Sequence, residues 1–320
     1  MKCKKSIMGF AALLILIFHF YIPFGKSGLE TFFYRAAYIG VDLFFFVSAY
    51  SLGRVDKIDF GPFIVSRISR VYVPFVIMAA IATVYKHWNL KRFVNILVGK
   101  EFYDKGGGAF LWFVIAIMIF YLLSPIFIKL KNRFGLFALL ILMLGWCLTA
   151  IIFQYGLGNK NVFIAINRIP VFVLGLFYDE YRKLDLKKIR IPVAIVELFL
   201  GCFLVYRWGT SVRLLKPFAD MYYILAIPMV LGIANIFDAM SEIVKVKNIP
   251  LVFIGRVTLE LYGLQMIFGY DIEAKFLKLT KNGFVSFLVT VAALILMATI
   301  FSYVMKMLRS LANKISDKNK

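Results

Sequence analysis

Histidine is almost missing from these 320 residues: only His19 and His87 occur, beside three cysteines, Cys3, Cys147 and Cys202. So small a stock excludes a histidine-rich metal centre, and no metal site is expected. With Cys147 and Cys202 inside apolar runs, neither a disulfide framework nor a zinc motif follows. Acidic residues are scarce too, 17 against 38 lysines and arginines, for a net charge of +21. Nucleic acid would draw such a charge to one face, whereas here the basic residues form short clusters between apolar runs. That pattern excludes a nucleic-acid partner and fits loops on the cytoplasmic side of a bilayer, touching anionic lipid. No internal repeat is visible, which counts against a transporter built from inverted repeats.

What the chain does have is apolar length. It is 62% hydrophobic with a mean hydropathy of +0.84, the composition of a protein that is mostly membrane span. Ten candidate spans can be drawn, roughly 7 to 24, 31 to 53, 62 to 85, 109 to 129, 135 to 155, 161 to 178, 191 to 207, 218 to 239, 249 to 270 and 283 to 307. The basic start, Met1 to Lys5, raises the question of a signal peptide. The run after it is longer than an h-region and lacks a small-residue cleavage pattern, so it reads as a retained first helix. With the N-terminus inside, the larger share of Lys and Arg falls on the side of both tails, which places both termini in the cytoplasm. The expected fold is all-α: a polytopic integral membrane bundle of about ten transmembrane helices, one domain over 1–309, followed by a basic cytoplasmic tail at 310–320.

Some charges do not fit loops. Arg35, Arg168 and Arg256 lie at or inside apolar spans, and arginine stays charged, so each needs a carboxylate, carbonyls, water or an anionic ligand. Asp42, Glu197, Asp220, Asp238 and Glu260 are the counter-charges on offer; snorkelling or structural ion pairing is the plain alternative for each. His19 is the sole side chain of Ile7–Pro23 that can titrate near neutral pH, and an intramembrane histidine is a functional candidate by default. The longest external connection, 85–108, ends in Gly106-Gly107-Gly108 but lacks the lysine and hydroxyl of a P-loop, so it reads as a flexible entry to the next helix.

Several short stretches then line up in order: Gly9-Phe10-Ala11-Ala12 leading to Phe18-His19; Gly40 through Ser48; Arg67-Ile68-Ser69-Arg70 to Pro74; Leu111-Trp112-Phe113 with Tyr121 and Pro125; Asn167-Arg168-Ile169-Pro170 with Gly175; and Gly255 through Thr258-Leu259-Glu260-Leu261-Tyr262. Together they resemble the membrane-bound acyltransferase 3 family, ten-helix proteins that O-acylate sugars in polysaccharide, peptidoglycan or lipid-linked glycans, and the resemblance runs through nearly the whole chain. By that resemblance His19 is the base that deprotonates a hydroxyl, a task that suits neutral imidazole. Arg67 and Arg70, at i and i+3, would share a helix face and meet the phosphates of a cytoplasmic acyl-CoA; positive-inside anchoring is the plain alternative. Asp42 would orient His19 or pair with Arg35, and Ser48 would either touch the reacting groups or bond a carbonyl of its own helix. Arg35, Arg168, Glu260 and Tyr262 would line the pocket with Trp112, although Trp112 and Phe113 also suit an interfacial belt. Two departures stand out. The family's arginine eleven places before the histidine is Met8 here, and a position that is often histidine is Gln265.

The implied activity is transfer of an acyl group, acetyl first among candidates, from cytoplasmic acyl-CoA to a hydroxyl of a cell-surface or lipid-linked glycan. It would take place in a bacterial cytoplasmic membrane, with no permanently bound cofactor and with a separate envelope-assembly partner as an option. Two alternatives stay open: a transporter or flippase for a glycan or anionic substrate, and a catalytically silent scaffold.

Overall fold

The structure is a computed structural model and describes residues 3–20, 32, 36–183, 190–208, 222–243 and 249–318. Among these residues all regular elements are helical. In chain order they are α1 (Lys4–Phe20), α2 (Ile39–Leu52), α3 (Phe60–Tyr85), α4 (Leu90–Leu97), α5 (Lys100–Lys105), α6 (Trp112–Phe134), α7 (Phe137–Gly156), α8 (Phe163–Ile166), α9 (Ile169–Leu176), α10 (Tyr178–Lys183), α11 (Arg190–Trp208), α12 (Tyr222–Leu225), α13 (Ile227–Ile243), α14 (Ile249–Ile254), α15 (Thr258–Leu264), α16 (Tyr270–Thr280) and α17 (Gly283–Lys318). Six described stretches are long and apolar enough to cross a bilayer: α3, α6, α7, α11, Tyr223–Ser241 and Gly283–Ser310.

Of the remaining expected spans, 7–24 and 31–53 extend into residues outside those described, and two others are broken for local reasons. The run over 161–178 divides at Asn167-Arg168 into α8 and α9. Pro170 forces that break, because its ring cannot follow a helical turn carrying a carbonyl four residues back, while it suits the first turn of a new helix. The run over 249–270 breaks between α14 and α15 and then widens into a π-type turn at Gln265–Gly269. Breaks of this kind free backbone groups and seat polar side chains at membrane depth, which is tolerated only where protein surrounds them.

Helix α2 is the element the others enclose. Leu43 to Val47 are all buried, as befits a helix that is apolar on every side. It packs against α1 on one flank and α9 on another. A Cβ on Gly40 would run into the Ala11 carbonyl oxygen, and one on Gly175 into the Phe46 carbonyl oxygen, so both contacts bring backbones together. Phe45 fills the third flank, its ring 5.0 Å from Phe113 and 4.9 Å from Phe120 of α6.

At the far end of α2 a lysine closes two helices at once. Lys131, buried on α6, donates to the carbonyls of Gly53 at 2.8 Å and Leu176 at 2.6 Å and pairs with Glu180 at 3.1 Å. It thereby satisfies last-turn carbonyls of α2 and α9, where a cation also suits the helix dipole. By sequence this lysine belongs with the loop cations; in the fold it is an internal cap. Nearby, Arg182 meets Asp238 at 2.8 Å, and Tyr181 and Asn235 donate to Glu197 at 2.8 and 2.7 Å, so two of the expected counter-charges have structural partners. Asp220 lies outside the described residues.

Candidate functional site

The register of α1 against α2 fixes the site. Lys4 donates to the Ser51 hydroxyl at 3.4 Å, and Gly40 sits against Ala11 and Ile15, so the two helices run antiparallel. Between them, closed by α6, α15 and the middle of α3, lies a cavity of about 110 Å³ whose lining includes Met8, Ile15, Ser48, Tyr121 and Tyr262. Met8 and Ile15 line it; His19, at i+11 from Met8, shares their helix face but is not itself part of the lining. His19 lies one turn beyond Ile15, half-buried, and its Nδ1–H donates to the Ile15 carbonyl at 2.9 Å. A carbonyl can only accept, so in the neutral ring the proton sits on Nδ1 and Nε2 keeps its lone pair. That is the tautomer a general base needs.

Asp42 is turned elsewhere. Its Oδ1 meets Arg168 Nε at 3.2 Å, with both side chains 2% exposed, while Oδ2 has no hydrogen-bond partner among the described residues. The α1–α2 register sets His19 roughly 9 Å along the helix axis from the level of Asp42. Of the expected partners of Asp42, Arg35 lies outside the described residues, and the residue the fold delivers is Arg168. The break between α8 and α9 explains this, since Arg168 occupies the position just before α9 and its guanidinium also donates to the Ile164 carbonyl. The guanidinium lies 3.9 Å from the Tyr223 ring centre and 5.3 Å from that of Trp112. Trp112 is thus buried beside a cation rather than set in an interfacial belt. Tyr262 lines the cavity and stands within the field of Arg168, linking the buried ion pair to the empty space.

The two arginines of the Arg-x-x-Arg pair diverge. A π-type turn over Ile68–Tyr72 interrupts α3, and its wider i→i+5 spacing turns the two side chains apart. Arg67 is half-buried and lies 4.7 Å from the ring centre of Tyr121, a cavity residue, whereas Arg70 is exposed. Glu260 leaves the cavity as well: Ser302 hydrogen-bonds it, with the charges of Lys306 and Arg309 nearby on α17. Neighbours at i−1 and i−2, Leu259 and Thr258, take the lining positions instead.

A family model described as an acyltransferase domain matches residues 8–307, nearly the whole chain. The chain belongs to the acyltransferase 3 family. No curated protein and no solved structure matches it. Family and apolar helices together point to a multi-pass membrane acyltransferase. Within this family frame Met8, in the place of the arginine, faces the cavity, and Gln265 is buried with its amide nitrogen lacking a partner among the described residues. Lys4, one turn before Met8, donates to Ser51. The cation brought to the cavity's edge is Arg67, from a different helix.

Sequence reasoning missed Tyr223, Tyr121 and Lys131. Tyr121 stood within a quoted stretch without a role; for Tyr223 no local signal existed, since its value depends on lying over Arg168.

Proposed function

We propose that this family member is an integral membrane O-acyltransferase with about ten spans and both termini in the cytoplasm. It takes a short acyl group, acetyl by preference, from cytoplasmic acyl-CoA and places it on a hydroxyl of a cell-surface or lipid-linked glycan at a bacterial cytoplasmic membrane. The observation that carries this reading is the His19 tautomer, one helical turn beyond Ile15 in the lining of a small cavity. Nε2 takes the proton of the acceptor hydroxyl as its oxygen attacks the thioester carbonyl. The new C–O bond forms, the C–S bond breaks, and the departing CoA sulfur receives the proton from His19. Arg67 supplies charge to the donor at the cavity's edge and Arg70 meets donor phosphates from the exposed side. Asp42, buried and held by Arg168 away from His19, positions the central helix beside the site rather than meeting substrate. A cavity of about 110 Å³ favours a small acyl group over a long one.

Met8 favours one competing reading, in which the buried charges line a path for an anionic or glycan substrate and no chemistry occurs. The separating experiment is binding and turnover of radiolabelled acetyl-CoA by detergent-purified protein, wild type beside His19→Ala and Arg67→Ala/Arg70→Ala. Turnover lost in the histidine variant with binding retained, and binding weakened in the arginine variant, is the expected result. Correctly folded wild type that neither binds nor consumes any acyl-CoA tested would end the enzyme reading and call for a transport assay.

A further inference from the structure

A second, larger hollow lies between α6 and α7, away from the His19 cavity. It has a volume of about 850 Å³ and follows α6 from Ile115 to Leu130, a run of roughly 22 Å at 1.5 Å per residue. Its wall is aromatic and aliphatic, with Phe102, Phe120, Phe127 and Phe153 among its residues. The Thr149 hydroxyl on its α7 side is already spent on the Gly145 carbonyl at 2.8 Å. The surrounding surface, including Leu122, Ile126, Leu140, Leu144 and Leu148, is exposed hydrocarbon, so the groove continues the face these spans turn to the bilayer. Polar side chains gather at one end, where Tyr103 and Lys100, the latter ion-paired with Asp104 at 2.9 Å, are exposed, whereas Phe127 and Leu130 line the other. A polar mouth over a long apolar trough complements an amphiphile with one long tail and a head at Lys100, and gives a bare sugar nothing to hold.

Ring contacts lead from the groove to the buried Asp42–Arg168 pair and to the central helix. Phe102 stacks on Trp112 at 6.3 Å, and Trp112 lies beneath the Arg168 guanidinium. Phe120 packs on Phe45 of the central helix. We propose that this groove holds the hydrocarbon tail of the acceptor, which makes the acceptor a lipid-linked glycan rather than a free polysaccharide; the inference rests on the acyltransferase reading.

Gly145 allows a clean test. It lines the groove, and a Cβ added there meets nothing within 4 Å, so a larger side chain can be introduced without displacing its neighbours at the Cβ. The probe is a hexose joined through a phosphodiester to a long-chain alcohol that bears a tail diazirine, presented to the purified full-length chain. Photolabel is expected in α6 and α7, falling roughly tenfold or more in Gly145→Trp, the scale on which a filled apolar pocket discriminates. Acetyl-CoA binding should be unchanged. Gly145→Leu serves if the tryptophan variant does not fold. In transfer assays wild type should prefer the tailed hexose to a short-chain analogue, and the Gly145 variants should lose that preference. Labelling elsewhere, crosslinking to a second copy of the chain, or equal labelling of the variants would overturn the groove. Equal transfer to long- and short-tailed acceptors would overturn its role as the acceptor site. Tail labelling confined to the groove with no acyl transfer to any acceptor would sink the acyltransferase reading and leave a lipid site.

Discussion

Asp42 Oδ1 and Arg168 Nε meet at 3.2 Å inside the apolar bundle, joining the central helix to the broken one beside it. Removing one member strands the other charge where water cannot reach it. Such a loss costs about 3–5 kcal/mol, whereas replacing both by apolar groups is often close to neutral. Arg168→Leu alone should therefore lower the unfolding temperature in detergent far more than Asp42→Leu/Arg168→Leu together. If the pair serves the substrate as well as the fold, the double variant should fold without turning over acyl-CoA. A double variant no more stable than the singles would show that the pair is not the source of the cost.

Lys131 offers a second test, remote from the chemistry. Lys131→Met removes the donor from Gly53 and Leu176 and leaves Glu180 without its cation. Losing hydrogen bonds to a buried charge should cost about 2–4 kcal/mol. The expected result is a lower unfolding temperature and proteolysis starting at the α2 or α9 end, and Lys131→Arg should recover part of the loss. Unchanged stability in Lys131→Met would make this lysine an ordinary loop cation.

How much of this was legible in the sequence follows from what kind of information each residue carries. Apolar length gave the helices, and an arginine left over inside a span flagged Arg168 before any partner was visible. The partner was not legible, because Asp42 and Arg168 are brought together by the packing of Gly175 on Phe46 and by the break at Pro170, neither of which changes hydropathy. Arg67 and Arg70 were read at α-helical spacing, and a π-type turn has no strong local signature, so their divergence was hidden. Lys131 shows the same limit from the other side: a lysine that caps helix ends and one that faces lipid headgroups look identical in a basic cluster.

Outside the spans, Glu273 on α16 predicts a pH dependence. It is 9% exposed, Oε1 has no partner among the described residues, and burial pushes its carboxyl above the ordinary glutamate range. A folded-state pKa above the unfolded one means that the folded protein holds the proton more tightly. Its contribution to stability is then complete below the ordinary value near pH 4 and is lost as pH rises through the folded value. Glu273→Gln should accordingly raise the unfolding temperature at pH 7 and 8, and the gap to wild type should shrink as pH falls toward 4. A constant gap across that range would assign the effect to something other than ionisation.

Met8 supports the sharpest test of the cavity. Its side chain occupies the place of the family arginine, next to Ser48 and close to Tyr121, in a space with little polar lining. An arginine there brings a charge that the empty cavity cannot pair, so Met8→Arg should lower stability without ligand. An anionic donor entering from the Arg67 side would supply the missing partner. Ligand stabilisation grows as RT ln(1 + [L]/Kd), about 2.7 kcal/mol at a hundredfold excess over Kd, so a tighter-binding variant gains more from the same acetyl-CoA concentration. Met8→Arg is therefore expected to show a larger acetyl-CoA-induced rise in unfolding temperature than wild type, together with faster turnover that still depends on His19. A variant destabilised equally with and without acetyl-CoA would show that the donor does not reach the cavity, and the chemistry assigned to His19 would have to be placed elsewhere.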